Sequence, residues 1–427
     1  MKTKAVRLYG KDDLRIESFE LPAIGAGEIL ARVICDSLCM SSYKAVRQGP
    51  EHKRVPDNVA EKPVIIGHEF AGEILEVGDR WKTRFKAGDK FAIQPALNYE
   101  NGPVGILSAP GYSYPYLGGD ASYVVIPEEV MEQSCLLVYK GPGYFPASMA
   151  EPFSCVIGAM HANYHTRPGS YVHEMEIVDG GRLALLAGVG PMGLAAINYV
   201  LSRPDRKPSL MVVTDIDQDR LDRAAGLYSP AMASERGIEL CYLNTAELDD
   251  PLEALKEISG AEGYNDVFVF APVAPLIEQA DALLAFDGCL NFFAGPSDPA
   301  FCARLNFYKV HYAFTHVVGT SGGNTDDIRE SLALMEKGMD PAGLITHIGG
   351  LNAVPEATLS LPDMPGGKKL IYTNLEMPLL AISDFAKLGE KNPLFARLAK
   401  ICERHNGLWS VEAEELLLSY GEHPVVN

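Results

Sequence analysis

A chain of 427 residues, 47% of them hydrophobic, is long enough for two domains and a large buried core. Its formal net charge of −19 works against binding to nucleic acid or to an anionic membrane surface, both of which need basic patches. The N-terminus mixes charges at once, no apolar run has signal-peptide or membrane-spanning character, and the eight cysteines are too scattered for a small disulfide framework. A cytoplasmic protein with reduced or metal-ligating thiols is the expectation.

Residues 1 to about 135 read as β-rich, with strands at 29–34, 70–77 and 121–126 and turns at Gly78-Asp79 and Gly88-Asp89. The Pro- and Gly-rich stretch 95–119 reads as a long surface excursion. Residues 148–164 have a helical pattern and bridge to a segment of different character. There an apolar strand breaks into Gly188-Val189-Gly190-Pro191-Met192-Gly193 and resumes as an apolar helix to Leu201.

A strand feeding a helix through Gly-x-Gly-x-x-Gly lets backbone approach a pyrophosphate, whose charge meets the free N–H groups at the helix start. Gly188, Gly190, Pro191, Met192 and Gly193 are therefore candidate cofactor-binding residues. The next strand, 210–215, ends on Asp215, about 20 residues after the last glycine, the interval expected for an acceptor of a ribose 2′-hydroxyl. The lesser alternative for Asp215 is a helix cap or a solvated turn carboxylate. As a ribose acceptor it favours NAD, while nearby Arg220 and Arg223 keep NADP open. A helix near 217–225, a strand near 240, a helix at 252–258 and a strand at 266–271 continue the alternation of a parallel sheet covered on both faces. A last strand falls near 315–320. Then come a helix at 326–338, a return strand at 366–372, helices from 375 onward and a final helix at 411–418. Arg304, His311 and His316 add polarity near the end of the nucleotide-binding segment, with core or surface roles equally open.

The remaining chemistry sits in Cys35-Asp36-Ser37-Leu38-Cys39-Met40-Ser41-Ser42, in Gly67-His68-Glu69-Phe70-Ala71-Gly72, and in Glu151-Pro152. Singly, Cys39 reads as a small buried hydrophobe, His68 as a hydrogen-bonded core histidine and Glu151 as a helix N-terminal carboxylate. In this order, with Gly-Val-Gly-Pro-Met-Gly following, they resemble the zinc-dependent medium-chain dehydrogenases and reductases, particularly the sorbitol dehydrogenase-like branch, over roughly residues 1–374. The resemblance implies an α/β fold, a doubly wound Rossmann sheet plus a β-rich GroES-like catalytic domain. It divides the chain into catalytic residues 1–160, Rossmann residues 161–323, a return to the catalytic domain at 324–374, and a C-terminal helical extension at 375–427. It implies Cys39, His68 and Glu151 as ligands of one catalytic zinc with an open fourth position, Glu69 as a neighbouring or exchanging ligand, Ser41 as the proton-passing hydroxyl, and a homo-dimer or homo-tetramer.

Three departures from that family pattern are visible. Residues 91–122 contain no cysteine, so the four-cysteine structural zinc lobe is not expected. Ser42 stands where an aspartate commonly orients the histidine ligand, and Lys44 where a histidine is usual. The third is the extension beyond residue 374. Length, the missing zinc lobe and the extension together resemble the L-sorbose 1-phosphate reductases, which implies reversible reduction of L-sorbose 1-phosphate to D-glucitol 6-phosphate. The segment between Tyr43 and Pro63 carries Lys44, Arg47, His52, Lys53 and Arg54. A solvated loop face explains such cations, as does closure of Lys44, Arg47, Lys53 and Arg54 on a substrate phosphate. The alternatives are an unphosphorylated polyol or other secondary-alcohol dehydrogenase and, from another class, a non-catalytic dinucleotide-binding protein.

Overall fold

The computed structural model describes residues 1–167 and 169–421. They form two compact units, Met1–Glu151 with Asn324–Asn427, and Pro152–Gly323. Among the described residues no helix is long and apolar enough to cross a membrane.

The second unit holds a six-stranded sheet in the spatial order Glu239–Asn244, Leu210–Asp215, Arg182–Leu186, Tyr264–Val269, Leu284–Phe292, His316–Val318, every pair parallel. Strand order reverses between Arg182–Leu186 and Tyr264–Val269, so ligand space opens at the carboxyl end of Arg182–Leu186. There the glycine turn leads into the helix Pro191–Ser202, with Pro191 in the first turn, where its missing N–H costs no hydrogen bond. Gly193 has no substitute: a β-carbon there would stand 2.1 Å from the Gly188 carbonyl oxygen. Leu210–Asp215 is buried throughout, as a strand covered on both faces must be.

In the first unit the strand Ile29–Leu38 is almost wholly buried and pairs antiparallel with Ala71–Val77, Tyr123–Ile126 and Lys368–Tyr372. Ile29, Ala31 and Val33 join Phe70, Ile74 and Phe91 in one core, at the alternate spacing of a pleated strand. Register then places the chemistry. Lys369 pairs with Leu38, so Lys368 falls one step further on, beside Cys39.

The stretch 95–119 corrects the sequence expectation of a surface excursion. Residues around 98–107 are largely exposed, but Ser108, Ala109, Tyr112, Ser113, Tyr114 and Leu117 are buried. Its aromatic residues carry enough apolar area to draw the returning chain into the core.

The C-terminal residues belong to this unit. Leu380–Ala381 pairs with Ile345–Gly350, and the helix Pro393–Arg404 buries Leu394, Phe395, Leu398, Ile401 and Cys402, an amphipathic stripe. Trp409 is fully buried between Tyr372 and Phe385, with ring centroids 6.0 and 6.3 Å away.

Candidate active site

Three neighbouring segments of the first unit converge. Ile29–Leu38 ends at Cys39, which precedes the helix Met40–Gln48; Gly67-His68-Glu69 leads into Ala71–Val77; and Glu151 lies on the helix Phe145–Ala162. The turn before His68 demands glycine, because Gly67 has φ +90° and a β-carbon would lie 2.1 Å from Asp36 Oδ2. Ligand atoms of Cys39, His68 and Glu69 all lie within 4.8 Å of one another, the one such group able to hold a metal among the described residues. Glu151 is not in that set. It is buried beside it, its carboxyl pushed up to about 7 by burial, with His68 pulling the other way.

His68 is oriented from both ring nitrogens. Ser42 Oγ lies 3.1 Å from Nδ1, so in the tautomer that leaves Nε2 free to ligate, Nδ1–H donates to the Ser42 hydroxyl. A hydroxyl here does what a carboxylate commonly does. Ser41 Oγ stands 3.0 Å from Cys39 Sγ and 3.1 Å from His68 Nε2, and Tyr112 donates its phenolic proton to Ser41 at 3.0 Å.

Glu69 is held by groups that the motif does not predict. Lys368 pairs with its carboxylate, Ser37 donates to it, and its backbone N–H donates to Asp36 Oδ1 at 2.9 Å. Burial alone would push the Lys368 ammonium down, but Glu69, Cys39 and Glu151 outweigh it and hold it raised. Asp36 and Asp120 lie buried against each other under Gly67, and burial lifts Asp36 far above the carboxylate range and Asp120 to about 8. This pair therefore contributes stability that is full below an unfolded value of about 3.8 and lost as pH rises through about 8. Asp120→Asn supplies a permanent N–H donor to Asp36, and urea unfolding at pH 6 to 9 is expected to show a flatter decline in stability than the parent; equal slopes would refute the assignment of that decline to this pair.

Burial favours the neutral forms of Cys39 and His68: it raises the Cys39 thiol, a shift that Glu69 reinforces and Lys368 opposes, and it lowers the His68 imidazole. A divalent cation inverts that preference, and a set of one thiolate, one imidazole and carboxylate oxygen suits zinc. The residues present fit the ion.

Of the predicted phosphate-binding cations, Arg54 packs beside this centre, with its Nη1 donating to the Leu107 carbonyl at 3.2 Å. Its guanidinium carbon is 5.9 Å from the Tyr112 ring centroid, and Tyr112 also reaches to 3.3 Å from His68 Nε2. His52 stacks on the same ring at 5.8 Å, its imidazole pushed down to about 4 by burial and then by Arg54, Lys53 and Lys44. Arg47 instead pairs with Asp12 at 2.8 Å. Lys53 is exposed and Lys44 partly so.

In the second unit Asp215 ends its strand as expected. Its Oδ1 accepts from the backbone N–H groups of Ile216 at 2.9 Å and Asp217 at 3.3 Å, and Arg220 Nη1 approaches to 3.8 Å. The same arginine lies 3.3 Å from where a β-carbon on Gly190 would stand, so cation and carboxylate flank the glycine turn together.

Residues 25–134 match the alcohol dehydrogenase GroES-like domain. The chain is 51% identical to mannitol-1-phosphate 5-dehydrogenase of Aliivibrio fischeri and 51% identical to L-sorbose 1-phosphate reductase of Klebsiella pneumoniae, in each case across 98% of both chains. The crystal structure of 2R,3R-butanediol dehydrogenase from Bacillus subtilis shares the fold with a TM-score of 0.70 at 22% identity, over 87% of this chain and all of the other. The chain belongs to the medium-chain dehydrogenases and reductases and is an oxidoreductase.

Proposed function

We propose that the protein transfers hydride between NAD(H) or NADP(H) and a phosphorylated sugar or polyol, most closely the interconversion of L-sorbose 1-phosphate and D-glucitol 6-phosphate. The observation that carries this reading is the pairing of a Cys39, His68 and Glu69 cluster with Arg54 across the shared Tyr112 ring. It is consistent with the sugar-phosphate names of the half-identical relatives. One zinc, held by Cys39, His68 and a carboxylate from Glu151 or Glu69, would supply Lewis acidity toward the substrate oxygen. No structural zinc belongs to this reading, nor does a membrane or nucleic-acid partner. Assembly as a homo-dimer or homo-tetramer in the cytoplasm does.

The chain's own groups do the rest. Ser41, within hydrogen-bond reach of both the thiol and the imidazole, is placed to hand a proton to or from the reacting oxygen, and Tyr112 fixes the direction of that hydroxyl. Arg54 offers a planar fork to phosphate, with Lys53 and Lys44 adding positive potential and Arg47 engaged elsewhere. The glycine turn at Gly188, Gly190 and Gly193 cradles the cofactor pyrophosphate, with Pro191 and Met192 opening its helix, and Asp215 meets the adenosine ribose.

Arg54→Met should lower kcat/KM for the sugar phosphate by about 10- to 100-fold, the value of a lost charge-assisted contact, without changing the rate on D-glucitol. Equal parent activity on phosphorylated and free substrates would favour the polyol dehydrogenase reading instead. Asp215→Ala should narrow the preference for NAD over NADP, measured as a ratio of kcat/KM values.

A further inference from the structure

The helix Val411–Leu418, in the C-terminal extension, carries three glutamates, of which Glu412 and Glu415 are exposed and Glu414 is 1% exposed. Glu414 reaches the start of the helix Phe145–Ala162. Its Oε2 accepts from the Tyr144 N–H at 2.6 Å and its Oε1 from the Phe145 N–H at 2.9 Å, so a distant segment satisfies donors that a helix start leaves unpaired. The same Oε1 accepts from the Tyr372 hydroxyl at 2.9 Å, and that hydroxyl accepts from Trp409 Nε1 at 2.8 Å.

Both elements tied at this carboxylate also border the metal centre. The helix carries Ser148, which donates to the Glu69 carbonyl, and then Glu151; the strand Lys368–Tyr372 begins with the lysine that pairs with Glu69. Pro152 lies inside the helix directly after Glu151 and has no N–H for the Ser148 carbonyl, so the turns bearing Ser148 and Glu151 are weakly coupled to the helix beyond. Their placement depends on the N-terminal anchor.

We infer that Glu414 is a positioning residue for the metal centre, which makes the C-terminal extension a working part of the active site. This rests on the zinc reading above. The test uses the full-length zinc-loaded protein at pH 8, where the Glu414 carboxyl, pushed up to about 7 by burial, is ionised. Glu414→Gln keeps the shape but loses the charge and turns an amide toward the helix N–H groups. Zinc affinity by chelator competition should fall about 10-fold, the usual effect of disturbing groups behind the ligands. The kcat should fall with it while KM for the nicotinamide cofactor stays constant, and Glu414→Asp should recover part of both. A lowered melting temperature with parental zinc affinity and kcat would make the role merely structural and overturn the inference. Should Glu414→Gln not fold, Tyr372→Phe carries the test by removing one donor, and unchanged zinc affinity there overturns it equally. A parent protein that binds no zinc would bring down the zinc reading itself, and the inference with it.

Discussion

Replacing Cys39 with serine is expected to remove turnover by at least about 10³-fold while leaving NADH binding within about twofold of the parent. The thiol is the softest donor in the cluster, and serine offers a hydroxyl too weakly acidic to ligate zinc at neutral pH. Losing the Lewis acid forfeits several kcal/mol of stabilisation of the developing oxyanion, and each 1.4 kcal/mol or so is about tenfold in rate. The glycine turn and Asp215 lie in the other compact unit, 188 to 215 in sequence, so the cofactor loses no direct partner. Fluorescence titration with NADH beside steady-state kinetics separates the two effects. Loss of both together would mean that Cys39 supports the fold and not a metal.

Lys368→Met should destabilise the first unit by about 3–5 kcal/mol in metal-free protein, because it leaves the buried Glu69 carboxylate without its counter-ion. Removing both charges is far milder than removing one, so Lys368→Met with Glu69→Gln should recover most of the loss. Urea unfolding of the two variants and the parent, all treated with chelator, gives the comparison. A double variant no more stable than Lys368→Met alone would show that the pair is not the source of the effect.

The nucleotide-binding sheet was legible residue by residue because its signals are local. The Gly188 to Gly193 turn, Asp215 and the buried strands between helices each follow from spacing within a few tens of residues. The order of their motifs singled out Cys39, His68 and Glu151, whereas the approach of Cys39 to Lys368 depends on strand register. Glu69 is part of the tight cluster, and Glu151, on the helix Phe145–Ala162, lies outside it. Lys368 had a signal that went unused, a lysine pair opening a strand that is otherwise apolar, since buried cations need buried anions. Asp36, an acid inside a long apolar run, was a similar hint. Asp120 and Glu414 had none. An aspartate after two glycines and one glutamate among three in a helix look like solvent-facing residues until tertiary contacts single them out.

X-ray absorption at the zinc edge, on protein purified without chelator and quantified for metal, addresses most directly whether Cys39 and His68 share an ion with a carboxylate. One zinc per chain is expected, with a single sulfur neighbour near about 2.3 Å and the remaining neighbours nitrogen or oxygen at about 2.0–2.2 Å. A protein without zinc, or one whose zinc is surrounded by four sulfurs, would contradict that assignment.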